Sequence, residues 1–310
     1  VKDFAQQLVN GIELGALYGL IALGYTMVYG IIQLINFAHG EVFMVGAMGG
    51  LALWNYVLPH SLPTVVSLVL VLLAAVTTSV VVALVMERFA YRPLRNAPRL
   101  APLITAIGVS LMLQELVRLW YPQGKHRPLG ATADQQFPQF VKPNHYTVGG
   151  VQIRHITIFI VVVALGLMLA LSSFVRKTRT GKAMQATAQD RDTAQLMGID
   201  TDRVIVVAFV LGAALAGVAG VMQGMQVGTI GFRMGFLAGI KAFTAAVLGG
   251  IGNIAGAVLG GFLIGIVEAM ATQYIPHGSA WKDVWAFVVL IVVLVFRPAG
   301  LLGERVVSRA

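Results

Sequence analysis

The chain has 310 residues, 57% of them hydrophobic and 11% charged, with a mean hydropathy of +0.81 and a formal charge of +9. Soluble domains carry roughly 25% charged residues, so this composition excludes an ordinary soluble enzyme or nucleic-acid-binding module and points to a chain lying mostly in lipid. The absence of cysteine excludes disulfides and thiolate metal sites, and the positive charge is expected in loops, where it sets orientation.

A span needs about 20 mostly apolar residues. Candidates follow one another at 8–30, 40–58, 62–86, 100–120, 155–175, 204–225, 236–252, 254–272 and 284–296. The seventh and ninth are short enough to be re-entrant or broken. The first thirty residues read as a span, not as a cleaved leader. The expected fold is all-α: a polytopic transmembrane helix bundle of about eight or nine spans, one or two of them broken or re-entrant, forming a single domain over 1–310.

Between the first two candidates, "QLINFAHGEVFMVGAMGG" places Asn36, His39 and Glu41 in apolar surroundings. Gly40 permits broken backbone there, which lipid tolerates only where protein or a water-filled cavity encloses it. The stretch 87–99 holds Arg88, Arg92, Arg95 and Arg99. Glu115 and Arg118 on the fourth candidate are spaced to meet on one helix face. The loop 121–154 carries Pro122, Pro128, Pro138 and Pro143, then "YTVGGVQI", a small hairpin pattern. Glu13, near the outer end of the first span, is expected simply to reach the headgroups.

The segment 176–203, "RKTRTGKAMQATAQDRDTAQLMGIDTDR", is polar and nearly free of helix breakers over 182–197. It suits one or two short surface helices, stopped at Gly198, and reads as a docking element. Small residues recur at four-residue spacing at Gly11, Gly15 and Gly19, at Gly212, Ala216, Gly220 and Gly224, and at Gly252, Gly256 and Gly260, the pattern of close helix contact.

Farther on, Lys241 and Glu268 lie on neighbouring candidates, each about 20 Å from the intervening turn at 1.5 Å per residue. They are expected to face each other, since ionisable groups at membrane depth need partners. The turn itself, "LGGIGNIAGA" with Asn253, is a second glycine-rich break resembling the one at 36–41, which hints at an internal repeat. Asn36, His39, Glu41, Lys241, Asn253 and Glu268 are therefore the candidates for translocation or gating.

Basic residues set the orientation. Those of 87–99, of 176–203 (Arg176, Lys177, Arg179, Lys182, Arg191, Arg203) and of the tail (Arg297, Arg305, Arg309) fall on one side and outnumber those opposite (Lys2, Lys125, Arg127, Lys142, Arg154, Arg233, Lys282). The expectation is a cytoplasmic C-terminus and an outer N-terminus. That places 121–154 outside, 176–203 inside, and the Asn36–His39–Glu41 cluster at the cytoplasmic end of two spans.

Three stretches carry a family resemblance: "INFAHGEVFMVGA" at 35–47, "GKAMQATAQDRDTAQLMGI" at 181–199 and "KAFTAAVLGGIGNIAGAVLGG" at 241–261. From about residue 8 to 303 the chain resembles the permease subunits of bacterial ABC importers, and more narrowly the H-type permease of the high-affinity branched-chain amino acid system. ABC importer permeases carry a Glu-Ala-Ala-x-x-x-Gly loop whose coupling helix docks on the ATPase. Asp192, Thr193, Ala194 and Gly198 keep that spacing, with the first two positions departing from the motif. The coupling loop so implied comprises Ala188, Asp190, Asp192, Ala194 and Gly198.

The resemblance further implies alternating access, a homologous second permease, two ATPase subunits, a periplasmic amino-acid-binding protein and residence in the bacterial inner membrane. No Walker motif G-x-x-x-x-G-K-[ST] occurs, so this chain is expected to bind no cofactor of its own and to rely on ATP and Mg used by its partners. Related permeases carry urea or short amides. The rival classes are an ATP-independent channel or secondary transporter, which has no need of an organised 176–203 loop, and an intramembrane enzyme. The six histidines (39, 60, 126, 145, 155 and 277) are scattered, and His39 and Glu41, two apart, do not share a helix face, which argues against the enzyme.

Overall fold

A computed structural model describes residues 2–34, 36–59, 61–95, 97–98, 100–121 and 134–303. The readings that fall on His60, Arg99, Pro122, Lys125, His126, Arg127, Pro128, Arg305 and Arg309 lie outside them. Each apolar stretch of the sequence becomes a helix: α1 (Lys2–Ile32), α2 (His39–Tyr56), α3 (Thr64–Met86), α4 (Leu100–Trp120), α5 (His155–Lys177), α8 (Thr201–Val227), α9 (Met234–Gly249), α10 (Ile254–Tyr274) and α11 (Gly278–Phe296). The polar segment between α5 and α8 forms α6 (Arg179–Gln189) and α7 (Arg191–Leu196). Lys2–Ile32, Thr64–Leu94, Leu100–Trp120, His155–Lys177, Thr201–Val227 and Ile254–Tyr274 are long and apolar enough to cross a membrane. α9 is shorter, at 16 residues. α11 begins at Gly278 and runs for 19 residues, longer than the sequence pattern suggested, because the Gly-Ser-Ala-Trp-Lys-Asp stretch before it is also helical.

α1 is the central helix and its best-packed neighbour is α10. The predicted glycine face of α1 explains why. A Cβ on Gly11 would stand 2.6 Å from the Ile266 Cα, and one on Gly15 would stand 2.6 Å from the Phe262 Cα. Gly261 and Gly265 meet α1 from the other side. Lipid supplies no hydrophobic force between helices, so such backbone approach is how they associate. The stripe at Gly256 and Gly260 serves a different neighbour, packing on Ala245 and Gly249 of α9. α8 threads between α1, α2 and α3, with Gly212 against Gly24, Gly217 against Ala75, and Gly220 against the Phe43 carbonyl.

On the side of the α1 N-terminus, β2 (His145–Val148) and β3 (Val151–Arg154) form the expected antiparallel hairpin. Gly149 and Gly150 supply the positive φ angles of +61° and +87° that its two-residue turn requires. A second short pair joins β1 (Gln135–Gln136) to β4 (Thr229–Ile230). Glu13 does not reach for headgroups. It is 1% exposed, accepts two bonds from Arg154 at 3.0 Å each, and accepts one from the Thr157 hydroxyl at 2.6 Å. A carboxylate so paired fastens the hairpin to α1.

The α1–α10 contact yields a direct test. Gly15→Leu should destabilise the fold by at least ~1–3 kcal/mol through overpacking against backbone. Gly166→Ala, where a Cβ meets nothing, should leave stability unchanged or slightly higher. Equilibrium unfolding of the two variants in detergent compares them.

Candidate functional site

The segment after α1 turns back. Gln33 adopts a φ of +55°, residues 33–34 and 36–38 are non-helical, and α2 begins at His39. The His39 ring stacks edge-on with Tyr25, centroids 4.8 Å apart, in space that Gly24 leaves open by lacking a side chain. α2 therefore starts beside residues 24 and 25 of α1, well before that helix ends at Ile32. This corrects the placement at the cytoplasmic end of two spans: Gln33 is exposed, but the backbone then re-enters alongside α1, where Asn36, Ala38 and His39 are buried by protein as lipid demands.

The three polar residues do not form one cluster. Asn36, 3% exposed, accepts a 2.7 Å bond from the Tyr91 hydroxyl. Glu41, fully buried, accepts from the Ser110 hydroxyl at 3.1 Å and the Gln114 amide at 2.8 Å, both on α4. Each group thus ties the re-entrant segment to a different helix, and no group of three or more His, Asp or Glu side chains able to hold a metal occurs among the described residues.

Lys241 and Glu268 do face each other, Nζ to Oε1 at 2.8 Å. Two members of this cluster escaped sequence reading. The Tyr18 hydroxyl of α1 donates to Glu268 Oε2 at 2.8 Å, and Asp283 of α11 lies 2.5 Å from Lys241 Nζ. The charged pair Lys282–Asp283 lies just before the last apolar run at 284–296, so Asp283 falls outside the spans that the sequence marks. Nothing marked Tyr18. The network joins α1, α9, α10 and α11 at one depth. Asn253 caps α10, accepting from the Gly256 amide at 3.1 Å, and its side-chain amide donates to the Leu302 carbonyl at 2.9 Å. Gly250 and Gly252 around it have φ of +105° and +96°, so this break is a tight turn. Glu115 and Arg118 bond as spaced, at 2.6 Å.

The 176–203 segment is built by caps. Thr178 caps α6 through the Gly181 amide, and Asp200 caps α8 through the Arg203 amide, each at 3.0 Å. Asp190 caps α7, accepting from the Asp192 and Thr193 amides at 3.0 Å and the Thr193 hydroxyl at 2.6 Å. Ala188 is half-buried, Ala194 is buried, Asp192 is exposed, and Gly198 turns the chain at a φ of +83°. Met184 and Thr187 anchor α6 inward. Leu196 and Met197 point away from everything, 87% and 78% exposed. Two large apolar side chains are thus presented together on an otherwise polar loop.

The family described as "Branched-chain amino acid transport system / permease component" matches residues 7–294. The chain belongs to this permease family. A high-affinity branched-chain amino acid transport system permease protein, BraD of Pseudomonas aeruginosa (strain PAO1), is 45% identical over 318 residues, covering 100% of this chain and 99% of its own length. The permease LivH of Escherichia coli (strain K12) is 43% identical over 312 residues, covering 99% and 97%. A probable LivH of Methanocaldococcus jannaschii is 27% identical over 316 residues, covering 98% and 94%. The chain is an integral membrane permease, a transport subunit and not an enzyme.

Two predictions follow from these geometries. Lys241→Met strips the buried Glu268 of its cation, leaving only the Tyr18 hydroxyl on it, and should destabilise the protein by about 3–5 kcal/mol, whereas adding Glu268→Met should recover only part of that loss, because Asp283 still lacks its cation; unfolding in detergent measures both. At α7, the Thr193 hydroxyl and amide, then the Asp192 amide, hold the Asp190 carboxyl below its ordinary value. A carboxyl lowered on folding stabilises the cap above its unfolded pKa of about 3.9 and loses that contribution as pH falls through the folded value. Hydrogen exchange at the Asp192 and Thr193 amides should accelerate relative to neighbouring amides only below pH ~4, and in Asp190→Ala it should be fast throughout.

Proposed function

We propose that this chain is the permease subunit of an ATP-driven importer carrying branched-chain, hydrophobic amino acids inward across the bacterial inner membrane. The observation that carries the coupling is the α6–α7 loop, with caps at both ends and a bare Leu196–Met197 tip. A channel or secondary transporter has no use for a rigid apolar knob standing in water. In this reading the knob docks on an ATPase subunit that uses ATP and Mg, and closure of a pair of ATPases moves α5 and α8, the helices flanking the loop.

A homologous second permease completes the path by alternating access, and a periplasmic binding protein delivers substrate to the side bearing the β2–β3 hairpin. The N-terminus is periplasmic and the C-terminus cytoplasmic. Identity of 43–45% over the full chain to permeases named for branched-chain amino acid transport supports the substrate class. Asn36, His39, Glu41, Lys241 and Glu268 hold the helices that must move, a gating role that rests on positioning.

Reconstituted in liposomes with the partners, the complex should take up labelled leucine in an ATP-dependent manner and ignore labelled urea. Uptake that persists without the ATPases would overturn the importer reading, and preference for urea would overturn the substrate. Leu196→Glu with Met197→Glu should abolish co-purification of the ATPases while leaving the permease folded.

A further inference from the structure

The coupling loop and the re-entrant break are far apart in sequence, yet two sets of polar contacts meet in one backbone turn between them. α3 ends in a widened π turn, Glu87–Tyr91, in which the Arg92 amide bonds to the Glu87 carbonyl. π turns of this kind recur at functional sites. The turn buries Glu87 and Tyr91 together. Arg95, its side chain 6% exposed, pairs with the 3%-exposed side chain of Glu87 through one amine and with Asp202 through another. Asp202 lies in the first turn of α8, directly beyond the coupling loop.

Asp202 is a shared counter-ion. Arg92 reaches it at 3.1 Å and Arg191, the first residue of α7, approaches to 3.9 Å. Its side chain is 45% exposed, so water can help it change partners, while the Glu87–Arg95 pair stays buried. At the other end, Tyr91 packs its ring 5.4 Å from Phe209 and donates its hydroxyl to Asn36. The Asn36 carbonyl accepts the His39 amide at 3.1 Å, at the start of α2. Three arginines thus surround Asp202, one of them on α7, and the 87–95 segment links that carboxylate to the backbone that begins α2.

We propose that Asp202, Arg95, Glu87, Tyr91 and Asn36 are positioning residues that transmit movement of the α6–α7 loop to the re-entrant segment at 33–41. The proposal rests on the coupling reading of that loop.

The test uses the whole complex with ATPases and binding protein. Tyr91→Phe removes one hydroxyl and keeps the ring. Asp202→Asn removes a half-exposed charge. Each should assemble and show wild-type basal ATP hydrolysis, yet import less leucine per ATP hydrolysed by about fivefold or more, and Asp202→Glu should restore the ratio. Trapping with ADP and vanadate should alter hydrogen exchange at amides 36–42 in the wild type but not in Tyr91→Phe. Wild-type ratios and wild-type exchange changes in Tyr91→Phe and Asp202→Asn would overturn the relay. A wild-type complex that hydrolyses ATP but imports no leucine would instead defeat the substrate reading, and the exchange measurement would still decide the relay.

Discussion

Hydrocarbon offers backbone groups no water, so every place where a helix stops inside the bilayer must be walled by protein. The contact that makes this possible is the one between α1 and α10. With Gly11 and Gly15 on one helix and Gly261 and Gly265 on the other, the two backbones touch. That closeness brings Tyr18 to Glu268. It also leaves the rest of α1 free to receive α8 at Gly24. Were these glycines larger residues, α10 would stand off and Tyr18 would lose its acceptor.

Given that frame, buried polarity is organised by destination. Glu13 binds the hairpin, Asn36 binds the end of α3, Glu41 binds α4, and Lys241 binds α10 and α11. Ionisable groups at such depth are costly unless paired, and these pairs are also specific, because each joins helices that apolar packing alone would leave free to rotate. Charge at the loop end behaves differently. Around Asp202, Arg92 and Arg95 bind closely while Arg191 stands off at 3.9 Å, and the carboxylate is half-exposed, so its pairings are less fixed than the buried ones.

Much of this was legible in the sequence. Helix positions followed from apolar runs, the Tyr-Thr-Val-Gly-Gly hairpin from its turn glycines, the α6–α7 pair from a breaker-free stretch ended by Gly198, and Lys241 opposite Glu268 from their equal distance to a turn. What the sequence concealed was depth. Hydropathy reports that 33–41 is a break, but whether the chain stays at the surface or climbs back depends on Gln33 adopting a positive φ and on Gly24 leaving room for His39. Glu13 was misread for a related reason: its partners, Arg154 and Thr157, arrive from more than a hundred residues away. Tyr18 and Ser110 sit in ordinary apolar runs and Tyr91 among the arginines of 87–99, so none carries a sequence signature of its polar partner.

The peripheral helices follow from the same physics. α4 is buried only at Pro102, Ala106, Ser110 and Leu113, and α11 leaves Trp281, Val288, Ile291 and Val295 exposed. Between helices in lipid, apolar side chains gain little by leaving lipid for one another, so apolar contact alone would fix neither the height nor the rotation of either helix. In each case a carboxylate contact supplies what packing lacks: Glu41 holds α4 through Ser110 and Gln114, and Asp283 holds α11 to Lys241. α4 otherwise buries few side chains, whereas α11 also packs on α10 and α9 around the fully buried Ala286. These acids are therefore placed where they set the register of edge helices that apolar contact alone leaves undetermined.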